Sequence, residues 1–180
     1  MIFETKRLIL RPWTEADAEN LYELAKDSRV GPITGWPVHT NVDNSRQIIK
    51  DVLSTEDTYA VTLKEEDKAI GSISLKVGKK SNLNLTDCEA EIGYWIGVPY
   101  WGKGYIPEAV NELMNFAFNQ CSIETLWCGY FDGNEKSKRV QEKCGFLYHH
   151  TEIDKKWPLM NDVRTEHINF ITKKLWNNSN

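Results

Sequence analysis

Between Cys88 and Ala109 the chain reads CEAEIGYWIGVPYWGKGYIPEA: a strand, an abrupt stop and a glycine-opened helix, with no linker between them. Ala90, Ile92, Tyr94 and Ile96 alternate with Glu89, Glu91, Gly93 and Trp95, the period of two that sends one set of side chains to a core and the other to the opposite face of a sheet. Pro99 has no N–H for a neighbouring strand, and Gly97 before it lets the backbone splay. Backbone groups near Ile96 and Val98 are thereby left to bond another partner. Gly102 and Gly104 carry no side chain, which opens the amides of Gly102, Lys103, Gly104 and Tyr105, at the positive end of a new helix, to an anion such as a phosphate. Pro107 fits the first helical turn, and Ile106, Val110, Leu113 and Ala117 then repeat at helical spacing. A plain tight turn before a helix satisfies the same glycine pattern.

Two nucleotide motifs compete for these glycines and neither fits. The phosphate loop, GxxxxGK followed by Ser or Thr, has no match, and the dinucleotide fingerprint GxGxxG meets Pro107 at its third glycine. The stretch does resemble the acyl-CoA signature of the GNAT superfamily of N-acyltransferases, Gln/Arg-x-x-Gly-x-Gly/Ala, in Pro99-Tyr100-Trp101-Gly102-Lys103-Gly104. Pro99 stands where the family usually has Gln or Arg, a departure that affects a side-chain contact and leaves the backbone contacts untouched. AEIGYW before the signature and PEA after it are similar to the RimJ/RimL-like branch. So are TKRLILRPW and TEADAENLYEL at the start, NEKSKRVQEKCGF later and DVRTEHINFI near the end, so that the resemblance covers most of the chain.

The resemblance implies an α+β fold: a mixed, mostly antiparallel seven-stranded sheet, splayed at the central strand, with helices on both faces. It implies transfer of an acetyl group from acetyl-CoA directly to a primary amine, either a protein N-terminal α-amine or a small-molecule amine. The Gly102–Tyr105 amides then hold the pyrophosphate, and the strand groups at Ile96 and Val98 pair with the pantetheine arm as an added strand would. Asn134-x-x-Ser137 resembles the family motif that sets an Asn on that arm and a Ser beside the sulfur. Asn134 as an ordinary helix cap and Ser137 as a third-position helix residue satisfy the sequence equally well. Glu91 occupies a strand position where several superfamily members carry a catalytic Glu; a structural ion pair is the alternative. Glu89 shares its face as a candidate for binding the amine substrate, and two such carboxylates can raise each other's pKa. A non-catalytic acyl-CoA-binding sensor or interaction module is the rival reading, separated from the enzyme by turnover with a panel of amines.

Composition narrows the field. The 180 residues suit one domain spanning 1–180. Lys and Arg total 22 against 26 Asp and Glu, a net charge of −4 without a long basic run, which disfavours nucleic acid and mildly favours cationic partners such as amines. Cys88, Cys121, Cys128 and Cys144 show no ligand spacing, so no metal site is expected, and free thiols in a reducing, cytoplasmic setting are the simpler reading. No apolar run is long enough to span a bilayer.

Along the chain, Lys6 to Trp13 reads as a strand and Thr14 as the cap of a helix bearing Ala18, Leu21, Leu24 and Ala25. The breaker-rich segment GPITGWPVHT carries Trp36, either a loop anchor or a wall of the acceptor channel, and His39, expected at the surface or as a cap. Ile48, Ile49, Val52 and Leu53 mark a second helix. Thr58–Lys64 and Lys68–Val77 read as a hairpin, and Glu124–Tyr130 as the strand before the Asn134 helix, which Gly145 stops. Phe146–Ile153 and Val163–Lys173 close the fold around the loop KKWPLMND. Late strands at a sheet edge offer a surface for a homodimer.

Overall fold

A computed structural model of the chain describes residues 1–179. In chain order it holds strands β1 (Phe3–Glu4) and β2 (Leu8–Pro12), helices α1 (Ala18–Ala25), α2 (Gly31–Thr34) and α3 (Val42–Ile48), strands β3 (Thr58–Leu63), β4 (Ala69–Val77) and β5 (Glu89–Ile96), and helix α4 (Tyr105–Gln120). Strand β6 (Thr125–Phe131), helix α5 (Glu135–Lys143), strands β7 (Leu147–Trp157) and β8 (Asp162–Thr172) and helix α6 (Lys173–Ser179) follow. The eight strands hydrogen-bond in the order β1-β2-β3-β4-β5-β6-β8-β7, mostly antiparallel, with β5 and β6 parallel. The fold is α+β as expected, with eight strands instead of seven. The additional one is β1, whose two residues pair with Leu10 and Ile9 and are too few to show any alternation in sequence.

The chain divides into two compact units, Met1–Ser74 with Tyr94–Ala109 and Leu75–Gly93 with Val110–Asn180. In the first unit, Leu8 and Leu10 are fully buried on one face of β2, as their spacing predicts. The hairpin of β3 and β4 is buried almost without alternation, the mark of strands covered on both faces. Helix α1 lays Ala18, Leu21 and Ala25 on a cluster with Trp13, Ile49, Ala60 and Ala69, against which Trp36, Val42, Leu53 and Trp95 also pack. Its entry is fixed by Asp17, whose carboxylate accepts from the Thr14 N–H and hydroxyl and from both terminal nitrogens of Arg11. Burial opposes ionisation of Asp17, but these donors outweigh it and hold its pKa below the ordinary value.

In the second unit, Val110, Leu113, Met114, Ala117 and Phe118 of α4 are buried, as are Leu126 and Cys128 of β6 and Ile168 and Ile171 of β8. The parallel pairing of β5 with β6 runs over three registers, Glu89↔Thr125 to Glu91↔Trp127, while the strands themselves continue to Ile96 and Phe131. Strand β7 runs further than the sequence indicates, through Lys155-Lys156-Trp157 to a turn at Pro158–Asn161, while β8 keeps its expected length and starts one residue earlier. Two cross-links hold that extension: Lys155 Nζ bonds both Glu152 (2.5 Å) and Glu166 (2.6 Å), and Trp157 meets Phe131 edge-on at 4.9 Å. Among the described residues no helix is long and apolar enough to cross a membrane.

Candidate functional site

The glycine loop belongs to the first unit. Beyond Ile96 the chain stays beside β4 for one more residue, since Gly97 N–H donates to the Ile70 carbonyl at 2.9 Å. Val98–Tyr100 then forms a single 3-10 turn around Pro99, where the missing N–H costs little. Trp101 folds back and donates its indole N–H to the Ile96 carbonyl at 2.9 Å, so one of the strand groups that the sequence offers to a ligand already has a protein donor. Gly102 and Gly104 take φ of +75° and +77°, a left-handed conformation that side-chain-bearing residues avoid. Nothing lies within 4 Å of where a Cβ on Gly102 would stand. Helix α4 starts at Tyr105 and runs for 16 residues, so this open, positively turned loop heads a long helix.

The loop is tied to the start of the chain by residues that the sequence reading did not single out. Glu108, in the first turn of α4, accepts from the Thr5 hydroxyl (2.6 Å), the Arg7 main-chain N–H (2.8 Å) and Arg7 Nε (2.7 Å). Burial pushes the Glu108 carboxyl up, but these donors together hold its pKa below the ordinary value. Arg7 Nη1 also donates to the Lys103 carbonyl at 3.0 Å, and its guanidinium lies over the Tyr105 ring, 4.5 Å from the centroid. The signal was present in TKR and PEA, two fragments of the resemblance too distant in sequence to be paired by periodicity.

Trp36 and His39 also lie in the first unit. The Trp36 ring meets Trp95 at 5.5 Å and His39 at 5.3 Å, and it fills the space where Gly31 would carry a Cβ. His39 is buried at 8% exposure, against the expectation of a surface or capping residue. Its Nδ1 lies 2.8 Å from Ser45 Oγ and its main-chain N–H donates to the Ala25 carbonyl, so the segment after α2 is sealed onto α1 and α3. Burial lowers the His39 pKa, because the charged ring loses water.

Glu89, Glu91, Asn134 and Ser137 belong to the second unit. Glu91 Oε2 accepts from the Ser81 hydroxyl at 2.7 Å, a partner supplied by the polar loop before β5. Glu89 is engaged at both oxygens: Thr86 gives its hydroxyl (2.7 Å) and N–H (3.1 Å) to Oε2, and Trp127 gives its indole N–H to Oε1 at 2.9 Å. These bonds, the Thr86 hydroxyl foremost, hold the Glu89 carboxyl below its ordinary pKa, opposite to the mutual raising expected of two carboxylates on one face. Asn134 is buried and caps α5, its Oδ1 accepting from the Ser137 N–H at 3.2 Å. Ser137 Oγ in turn accepts from Gln141 Nε2 at 3.3 Å, which also donates to the Gly129 carbonyl at 3.2 Å. Asn169 Nδ2 fixes the orientation of that amide by donating to Gln141 Oε1 at 2.8 Å.

All four cysteines are free thiols, with Cys128 and Cys144 buried and Cys144 pushed up to about 12 by its surroundings. Among the described residues no three His, Cys, Asp or Glu side chains are grouped to hold a metal ion.

Residues 7–147 match the acetyltransferase (GNAT) domain family. The uncharacterized N-acetyltransferase p20 of Bacillus licheniformis is 30% identical over 127 residues, 68% of each chain. YdaF of Bacillus subtilis, whose name proposes ribosomal N-acetyltransfer, is 41% identical over 66 residues, 37% of this chain and 36% of its own. Among solved structures, a GNAT-family acetyltransferase from Bacillus anthracis superposes with a TM-score of 0.83 at 22% identity, covering 97% of this chain and 99% of its own.

Proposed function

The chain belongs to the acetyltransferase (GNAT) family, whose members use acetyl-CoA as donor and an amine as acceptor, and from that premise we propose that it acetylates the N-terminal α-amine of a protein or peptide as one domain over residues 1–180. The observation that carries the donor half is the loop at Gly102 and Gly104: two glycines at positive φ, open above Gly102, at the head of a long helix. The amides from Gly102 to Tyr105 bind the pyrophosphate there, and the backbone at Ile96 and Val98 pairs with the amides of the pantetheine arm.

The acceptor half rests on likeness and on chemistry. YdaF is named for ribosomal N-acetyltransfer, and the RimJ/RimL-like fragments point the same way. A free α-amine has a pKa of about 8, so a weak base suffices to expose its lone pair, whereas a lysine at about 10.4 needs a stronger one. Glu91, directly or through a water, takes the ammonium proton; Ser81 holds its carboxylate by donating to Oε2. The amine nitrogen then bonds to the thioester carbon, the carbon–sulfur bond breaks, Ser137 gives its proton to the departing thiolate, and the surplus proton on the new amide nitrogen restores the Ser137 hydroxyl through water. Asn134 holds the pantetheine arm while it caps α5. Trp36 borders the acceptor, and Glu89 stays a positioning carboxylate for Trp127 and Thr86. Four free thiols support a reducing, cytoplasmic compartment.

The test is a screen of acetyl-CoA turnover on peptides with free and blocked N-termini, small amines and polyamines, read by mass spectrometry. A gain of one acetyl group at the free α-amine is the expected result. Acetylation confined to small amines overturns the peptide acceptor. Tight acetyl-CoA binding with no turnover on any amine favours the non-catalytic sensor, the one reading to which Pro99, in place of Gln or Arg, lends support.

A further inference from the structure

We propose that Arg7 is a positioning residue for the donor's pyrophosphate: it sets the orientation of the Lys103–Gly104 peptide, and with it the preference for a donor that carries phosphates. The inference rests on the reading of Gly102–Tyr105 as the phosphate loop. In a trans peptide the C=O and the next N–H point in opposite directions, and no peptide among the described residues is cis. Arg7 Nη1 holds the Lys103 carbonyl at 3.0 Å, so the Gly104 N–H is turned to the side away from Arg7. Gly104 itself cannot enforce that choice, because glycine moves between the left- and right-handed regions at little cost. Without an external tie, rotation at Lys103 ψ and Gly104 φ flips the Lys103–Gly104 peptide and presents a carbonyl, instead of an N–H, to an anion.

Arg7 is itself held at several points. Glu108 binds its Nε and its main-chain N–H, the Tyr105 ring supports the guanidinium face, and a Cβ on Gly104 would stand only 3.6 Å from Nη2. Glu108 belongs to the first turn of α4, so the tie runs in a closed circuit from Arg7, just before β2, to the helix, back through Gly104 and Lys103, and again to Arg7. The carboxylate also neutralises the guanidinium, so the contribution of Arg7 is geometric and not a spare positive charge. Its planar fork serves Lys103 and Glu108 together, which a lysine ammonium on a flexible stem does not reproduce.

The experiment compares the affinities of acetyl-CoA and acetyl-pantetheine, which lacks the pyrophosphate, by calorimetry on the whole chain and on Arg7→Met and Arg7→Lys. The quantity read is the ratio of the two affinities, taken on the same folded sample, so a general loss of stability cancels from it. Loss of one preorganised, charge-assisted contact set predicts that both variants lower the ratio about tenfold, almost wholly through acetyl-CoA. A ratio unchanged in Arg7→Met, or fully kept by Arg7→Lys, overturns the positioning role. Equal weakening of both donors also overturns it, since the effect is then not on the phosphates. Wild-type protein that binds both donors equally refutes the phosphate loop itself, and Arg7 falls with it.

Discussion

Replacing Gly102 with alanine separates the strain of the loop from its use. At φ +75° a Cβ costs about 1–2 kcal/mol of backbone strain, and since nothing stands within 4 Å of that Cβ there is no clash to add. For a chain of this size each kcal/mol moves Tm by about 2–4 °C, so unliganded Gly102→Ala melts roughly 2–8 °C below wild type. The added methyl group then stands in the space kept open for the anion. Losing one to two charge-assisted hydrogen bonds, about 1.5–3 kcal/mol each, weakens acetyl-CoA on the order of 100-fold. At a concentration 100 times its Kd, acetyl-CoA stabilises the wild type by about 2.7 kcal/mol, a rise of roughly 5–11 °C. At the same concentration the variant gains only about 0.4 kcal/mol, close to 1 °C. The control is Gly145→Ala: Gly145 follows α5 at φ +82°, so it carries similar strain with no assigned contact to the donor. It should melt lower and keep its full acetyl-CoA shift. Differential scanning fluorimetry with and without acetyl-CoA reads the melting temperatures of all three proteins, and a full ligand shift in Gly102→Ala, or an equal loss in Gly145→Ala, refutes the assignment of the loop.

Trp36→Ala should lower Tm by several degrees, since the ring fills the space over Gly31 and meets Trp95 edge-on and His39 at a tilt, and a half-buried indole stabilises by about 2 kcal/mol. A rise in the KM for the amine that exceeds the rise for acetyl-CoA would add the acceptor-wall role; matched changes leave Trp36 as packing. The depressed pKa of His39 means that above about pH 6.5 the folded and unfolded chains are both neutral there. As pH falls below that value the unfolded chain takes up a proton that the folded one resists, so stability drops. Urea unfolding at pH 5–8 should show a shallower acid loss for His39→Leu than for wild type, and parallel curves would exclude His39 as the source. Ser137→Ala should keep acetyl-CoA affinity while kcat falls by about 100-fold if thiolate protonation limits the rate. Glu91→Gln should recover activity as pH rises toward the pKa of the amine, and wild-type kcat/KM at every pH would make Glu91 purely structural.

What the sequence disclosed and what it concealed divide along a physical line. The strand, the stop and the glycine-opened helix between Cys88 and Ala109 were legible because each follows from local backbone needs: alternation, a missing N–H at Pro99, positive φ at Gly102 and Gly104. The cap at Asn134 was legible for the same reason. The end of strand β7 is not legible beyond Ile153 because Lys155-Lys156-Trp157 shows no apolar alternation. What extends it is an ion-pair bridge from Lys155 to Glu166 and the edge contact of Trp157 with Phe131, both between residues distant in sequence.

The same distinction governs the site. Arg7 and Glu108 are 101 residues apart, Asn169 and Gln141 are 28 apart, and no period links either pair. Such partners are chosen by the fold once the sheet has brought their strands and helices together, so a single sequence records them only as isolated charges or amides. His39 makes the point in the opposite direction: in a segment full of Gly, Pro and Thr it reads as a surface residue, yet Trp36 and Ser45 enclose it. The residues proposed to bind through backbone atoms can therefore be read from local pattern. Those that aim the backbone, as Arg7 aims the Lys103–Gly104 peptide, emerge only when distant side chains are seen in one place.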